Sequence, residues 1–171
     1  EKGDINCQYV VNAAGYYAQQ VGEWFKPYGG RTVPMMVMSH QYLLSEEIPE
    51  IENYSKKSGK KLPLLRDVDI SYYLRQEKNG FNLGPYEPNC KAHWATEDDP
   101  MPDDFSFQLW NDDLDRIEDI VADAMERVPL LGTSGVSRVI NGPIPYAPDG
   151  LPLIGPMPGV ENGFEACVFT F

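Results

Sequence analysis

Two alternating runs, Ile70 to Lys78 and Phe81 to Glu87, flank the dipeptide Asn79-Gly80, and this constrains the chain more than any other feature. Asn-Gly between such runs signals a two-residue hairpin turn, because both residues tolerate left-handed backbone. A turn centred there predicts that Lys78 faces Phe81, Gln76 faces Leu83, Arg75 faces Gly84 and Tyr73 faces Tyr86. One face then carries Tyr73, Arg75, Glu77, Asn82, Gly84 and Tyr86, while Tyr72, Leu74, Phe81, Leu83 and Pro85 form the core face. The first face is polar, and the glycine expected opposite Arg75 leaves room for a small anion such as an amino-acid carboxylate. The same pattern also describes a solvated sheet face with an incidental arginine.

The rest of the chain reads as a mixed α/β fold. Residues 8 to 25 give strand, turn and helix, with Asn12-Ala13-Ala14-Gly15 at the turn, where small residues let a ligand or another backbone approach. Pro34 to Glu46 reads as a long strand with apolar residues on both faces, so a central position in a sheet is expected. Glu50 to Lys61, with four lysines around Ser58-Gly59, reads as a solvated loop. The spacing of Leu114, Ile117, Val121, Ala124 and Val128 predicts a helix over 112–128. Gly135 to Asn141 is expected as a strand, Pro143 to Pro158 as a loop and Gly163 to Phe171 as a last strand.

Charge and cysteine content narrow the function classes. Fourteen basic against 26 acidic residues give a formal charge of −12, which argues against nucleic acid or an acidic membrane surface as partner. The longest apolar run, Val33 to Met38, is too short to span a bilayer. Cys7, Cys90 and Cys167 are odd in number and widely spaced, which fits a reducing compartment and offers no metal-ligand pattern. The chain opens at Glu1 and closes in the β-prone Val168-Phe169-Thr170-Phe171, so it reads as a piece of a longer protein.

His40, in the middle of the long apolar strand, is either a hydrogen-bonded core histidine or a site residue. His93 beside Trp94 reads as a surface residue, and Glu97-Asp98-Asp99 as solvated loop. No Walker loop, GxSxG, HExxH or GxGxxG is present.

Val10-Val11-Asn12-Ala13-Ala14-Gly15, Met38-Ser39-His40-Gln41-Tyr42, Tyr72-Tyr73-Leu74-Arg75-Gln76-Glu77, and Asn141-Gly142-Pro143 with Pro148-Asp149-Gly150-Leu151-Pro152 occur in that order. Together they resemble the dimethylglycine and sarcosine dehydrogenase family, D-amino-acid-oxidase-like flavoproteins. The resemblance implies a fragment of a two-domain FAD enzyme, with residues 1–30 and 141–171 in the FAD-binding domain and 31–140 in a substrate domain, a mixed sheet covered by helices. It implies oxidative demethylation of an N-methylglycine, with His40 and Tyr73 as catalytic residues and Ala13, Ala14, Gly15, Gly142, Asp149 and Gly150 contacting FAD. Arg75 as substrate-carboxylate partner comes from the hairpin geometry. The family's GxGxxG turn, its covalent flavin attachment histidine and its tetrahydrofolate-binding region fall outside this sequence, as does anything that names the electron acceptor. A mitochondrial-matrix or bacterial-cytoplasm location follows from the same resemblance. Two other readings are a non-catalytic relative resembling the regulatory subunit of pyruvate dehydrogenase phosphatase and an oxygen-using amino-acid oxidase.

Overall fold

The computed structural model describes residues 3–96 and 98–170, so Glu1, Glu97 of the acidic run and Phe171 lie outside the described residues. In chain order the elements are β1 (Val10–Asn12), α1 (Ala18–Glu23), β2 (Met36–Ser45), α2 (Pro49–Ser58), β3 (Leu65–Asp67), β4 (Tyr72–Glu77), β5 (Gly80–Pro85), β6 (Ala92–His93), α3 (Glu118–Arg127), β7 (Val136–Tyr146), β8 (Leu153–Pro156) and β9 (Gly163–Cys167). This is the mixed α/β fold expected. The elements fall into two compact units, the first made of Glu1–Met38, Lys91–Asp104 and Pro143–Phe171, the second of Ser39–Cys90 and Phe105–Gly142.

In the first unit β1 runs parallel to β9, and β8 pairs antiparallel with the other side of β9. The expected Pro143 to Pro158 loop is instead the end of β7 plus β8. Pro143 and Pro145 are tolerated in β7 because their missing N–H groups, two residues apart, fall on the same side of the strand. Asn12, 1% exposed, ends β1 and donates from Nδ2 to the Ala18 carbonyl at 2.8 Å, tying the strand to the start of α1. The small core consists of Ala18, Val33, Ala147, Cys167 and Val168.

The second unit is an antiparallel sheet with helices on one face. β3, β4, β5 and β2 lie side by side, and β2 is also paired with β7, so the long strand is central as expected. Leu43, Tyr72, Leu74, Phe81 and Leu83 pack with Ile51 of α2 and with Ile117 and Ala124 at α3.

The hairpin turn sits one residue earlier than expected. Glu77 pairs with Gly80, Arg75 with Asn82 and Tyr73 with Gly84, so Lys78 and Asn79 form the loop. Gly80 is needed for close approach rather than for the turn: a Cβ there would lie 2.6 Å from the Glu46 carbonyl oxygen and from Ser45 Oγ. Ile48 N–H donates to the Asn79 carbonyl at 2.8 Å and Phe81 N–H to Ser45 Oγ at 2.8 Å, so the end of β2 overrides the local Asn-Gly preference. Lys78 accepts the left-handed backbone at φ 51°. Moving the turn by one residue moves each pair by two, which preserves the faces.

Two helix expectations need correction. Glu50 to Lys61 is not a loop, because Pro49–Ser58 forms α2. Pro49 sits in its first turn with Glu50 and Glu52, Lys56 and Lys57 close its last turn, and Gly59 at φ 67° ends it. With Ile51 as its one buried residue, it leaves almost no apolar stripe to read. The helix expected over 112–128 is broken: Leu114–Arg116 is a 3₁₀ turn, and α3 begins only after Ile117. Gln41 causes the break by clamping Asp113, accepting from its N–H at 3.1 Å and donating to its carbonyl at 2.6 Å. Among the described residues no helix is long and apolar enough to cross a membrane.

Two glycines with left-handed backbone should respond differently to alanine. Gly59 (φ 67°) has nothing within 4 Å of an added Cβ, whereas at Gly29 (φ 95°) that atom would lie 2.6 Å from the Gly159 carbonyl oxygen. Gly59→Ala should cost about 1 kcal/mol and Gly29→Ala about 3 kcal/mol, measured by denaturant unfolding of the intact protein.

Candidate functional site

The face of the second-unit sheet opposite its core carries the polar and aromatic groups. Arg66 faces Tyr73 across β3 and β4, Tyr73 faces Gly84 across β4 and β5, and Leu44 faces Asn82 across β5 and β2. Alternation along β2 puts Tyr42 and then His40 on that same side. His40 and Tyr73, the expected catalytic pair, therefore share one face.

Around Tyr73 the face is built from rings. Its ring meets Tyr86 edge-on with centroids 6.0 Å apart, and the Arg66 guanidinium lies 4.9 Å from the Tyr86 centroid, a cation–π contact. Burial pushes the Tyr73 phenol above its usual pKa, with Arg75 opposing and Tyr86 and Tyr42 adding to the rise. The phenol stays protonated at neutral pH and can donate a hydrogen bond. The room expected at Gly84 is taken by Tyr73, because a Cβ on Gly84 would clash with Cε1, Cζ and Oη at the hydroxyl end of the phenol ring.

Arg75 lies on the expected face but opposite Asn82, not Gly84. Its Nη1 is 3.1 Å from Glu77 Oε2, and both side chains are partly exposed.

His40 sits over a buried charge cluster that the sequence did not reveal. β5 ends at Pro85, and two residues later Glu87, its side chain 1% exposed, accepts the Gln41 N–H on Oε1 at 3.0 Å. Its Oε2 is 2.9 Å from Arg116 Nε, and Oε1 is 3.9 Å from His40 Nδ1. Arg116 also donates from Nη1 to Ser39 Oγ at 2.7 Å and lies 3.6 Å from Asp113. Burial, with Arg116 adding, pushes His40 below the usual histidine pKa. Burial pushes Glu87 up, while Arg116 and the Gln41 amide pull it back. Glu87 and Arg116 are 29 residues apart in sequence, so no local spacing could have joined them.

The remaining expected site residues lie elsewhere. Ala13, Ala14 and Gly15 form the turn after β1 in the first unit; Gly15 has φ 59° and nothing within 4 Å of an added Cβ. Asp149 and Gly150 form the turn between β7 and β8 in that unit, with Asp149 Oδ1 accepting the Leu151 N–H at 3.0 Å and Gly150 at φ 71°. Gly142 belongs to the second unit, where a Cβ would lie 3.1 Å from Leu109. Among the described residues no group of three or more His, Cys, Asp or Glu could hold a metal ion.

Comparison with known proteins agrees on one family. Residues 1–169 match the family described as FAD dependent oxidoreductase. Mitochondrial dimethylglycine dehydrogenase of Mus musculus is 40% identical over 99% of this chain, and mitochondrial sarcosine dehydrogenase of the same species 34% identical over 99%. The chain spans 19% and 17% of the length of these two relatives. The crystal structure of L-proline dehydrogenase from P. horikoshii superposes with a TM-score of 0.64 at 18% identity, covering 95% of this chain and 37% of that one.

The Tyr73–Gly84 contact gives a test of the face. Gly84→Ala must displace the Tyr73 ring and should cost about 1–3 kcal/mol in unfolding of the intact protein. In a Tyr73→Ala background, which removes the obstructing ring, most of that cost should vanish.

Proposed function

Because the chain belongs to the family of FAD dependent oxidoreductases, we propose that it forms part of an enzyme that oxidatively demethylates an N-methyl amino acid of the dimethylglycine or sarcosine type, with the substrate on the polar sheet face of the second unit. The observation that carries this reading is the shared face of His40 and Tyr73, with His40 held neutral by burial.

The substrate amine is an ammonium in water at neutral pH, and its nitrogen lone pair must be uncovered before the adjacent N-methyl C–H bond can lose hydride. A neutral imidazole can take that proton. His40 Nδ1 faces Glu87, so we assign the proton to Nε2. Tyr73 donates its phenol hydrogen bond to the substrate and orients it. When bound, the isoalloxazine ring of FAD supplies the two-electron acceptor for the N-methyl C–H bond. Ala13, Ala14 and Gly15 suit such a cofactor, because the turn is small and open where a larger side chain would block approach. We assign Gly150 the same role and Asp149 that of forming its turn; Gly142, tight against Leu109, is the least open of the set.

The substrate carboxylate needs a cation on this face. Arg75 is one candidate, but Glu77 already partners it. Arg66 is favoured, because its guanidinium is stacked on Tyr86 beside Tyr73 and pre-oriented there.

In the intact flavin-loaded protein, His40→Asn should slow flavin reduction by sarcosine or dimethylglycine roughly a hundred-fold, with flavin content and melting temperature nearly unchanged. A large loss of melting temperature with near-normal reduction in the folded fraction would make His40 a core histidine instead. Arg66→Met should raise KM roughly ten-fold or more with a smaller effect on kcat, and Arg75→Met should do less.

A further inference from the structure

The buried Gln41 N–H needs an acceptor, but a neutral amide in place of Glu87 would supply one without the cost of desolvating two charges, so the fold alone does not call for the Glu87–Arg116 ion pair. What distinguishes it is its neighbour. Glu87 Oε1 lies 3.9 Å from His40 Nδ1, while Arg116 meets the other carboxylate oxygen at 2.9 Å and reaches Ser39, the residue before His40, at 2.7 Å. We propose that Glu87 and Arg116 are positioning residues that act as a unit: they hold the His40 ring through its Nδ1 side and fix its protonation state, keeping it neutral and ready to take a proton. This rests on the reading of His40 as the base for the substrate amine.

The two charges push His40 in opposite directions. A lone Glu87 carboxylate at this distance would favour the imidazolium, and a lone Arg116 would disfavour it. Burial is what favours the neutral ring most, and Arg116, whose Nη2 is buried without a hydrogen-bond partner among the described residues, adds to it against the pull of Glu87. Also in this region are Tyr42 on β2, Tyr73 on β4, Tyr86 beside Glu87, Cys90, whose Sγ donates to the Glu87 carbonyl at 3.1 Å, and Asp113, 3.6 Å from Arg116 and partly exposed. Burial raises the pKa of the Tyr73 phenol and of the Cys90 thiol, so both are uncharged at neutral pH, and Asp113 approaches the same Arg116 Nε as Glu87 but from farther away. Glu87 and Arg116 are a buried pair of full charges set against the Nδ1 side of the imidazole, which gives them leverage on it.

The test follows the His40 ring directly in the intact flavin-loaded protein, labelled with carbon-13 at histidine Cε1. The resonance missing from His40→Gln is that of His40. Arg116→Met should raise its titration midpoint by roughly one pH unit, and Glu87→Gln, which keeps an acceptor for the Gln41 N–H, should lower it by about as much or out of the folded range. Arg116→Lys should restore most of the native value, and the double variant Glu87→Gln/Arg116→Met should return toward it. Thermal melts identify any variant that has lost its fold, and the isosteric Glu87→Gln and the conservative Arg116→Lys keep the comparison possible if Arg116→Met has. Midpoints that do not move, or that move in the same direction in both single variants, overturn the proposal. The acid limb of kcat/KM for sarcosine should move with the resonance. If the resonance shifts as stated while the acid limb stays put, the pair does set the state of His40, and it is the assignment of His40 as base that fails.

Discussion

A carboxylate with 1% of its surface exposed is expensive to bury, and the way Glu87 is satisfied organises the second unit. On the side facing β2 the β5 ladder stops short of Pro85, which has no N–H to offer and is the last residue of the strand. Glu87 takes over by accepting the Gln41 N–H, so β2 stays paired through a side chain where backbone pairing has run out. Arg116 must then come in to balance the charge, which requires the 3₁₀ turn before α3 to face β2. Gln41 completes the arrangement by clamping Asp113. Removing one partner of such a pair costs about 3–5 kcal/mol, because the other charge is stranded.

This linkage explains why the helix before Ile117 could not be read correctly. Leu114, Ile117, Val121, Ala124 and Val128 do have helical spacing, and Ile117 and Ala124 are fully buried. The break comes from Gln41, 72 residues away, and spacing along one segment cannot register a bond to another. The hairpin turn failed for the same reason. Asn79-Gly80 is a good local turn, yet Gly80 is needed where β5 passes the end of β2, so the loop retreats onto Lys78. With α2 the difficulty was different: its signals were caps and charges around one buried isoleucine, with too little apolar periodicity to outweigh the lysines.

The candidate site was legible where alternation governs it. Period-two patterning put Tyr73, Arg75 and Gly84 on one face, and the same alternation along β2, joined to them by the strand pairing, adds His40 and Tyr42 to it. The resemblance to a known family singled out His40 and Tyr73. Arg66, Glu87 and Arg116 were not legible, since each matters through a partner brought in by tertiary structure: Tyr86 for Arg66, and His40 for the buried pair.

The error in the hairpin nevertheless left the site face intact, and the reason is geometric. A turn displaced by one residue changes cross-strand partners by two, and two is the repeat of a strand. Leu74 and Leu83 stay in the core, and Tyr73 and Gly84 stay opposite it, whichever turn is drawn. What changes is which side chain lies over the glycine. With Arg75 there the face would have offered an open pocket beside a guanidinium; with Tyr73 there it offers the hydroxyl end of a ring lying over the glycine, the ring meeting Tyr86 edge-on. The anion-binding task then passes from a glycine-backed Arg75, occupied with Glu77, to the guanidinium that the ring cluster itself supports, Arg66. A displacement too small to disturb the core thus decides which arginine can meet a substrate.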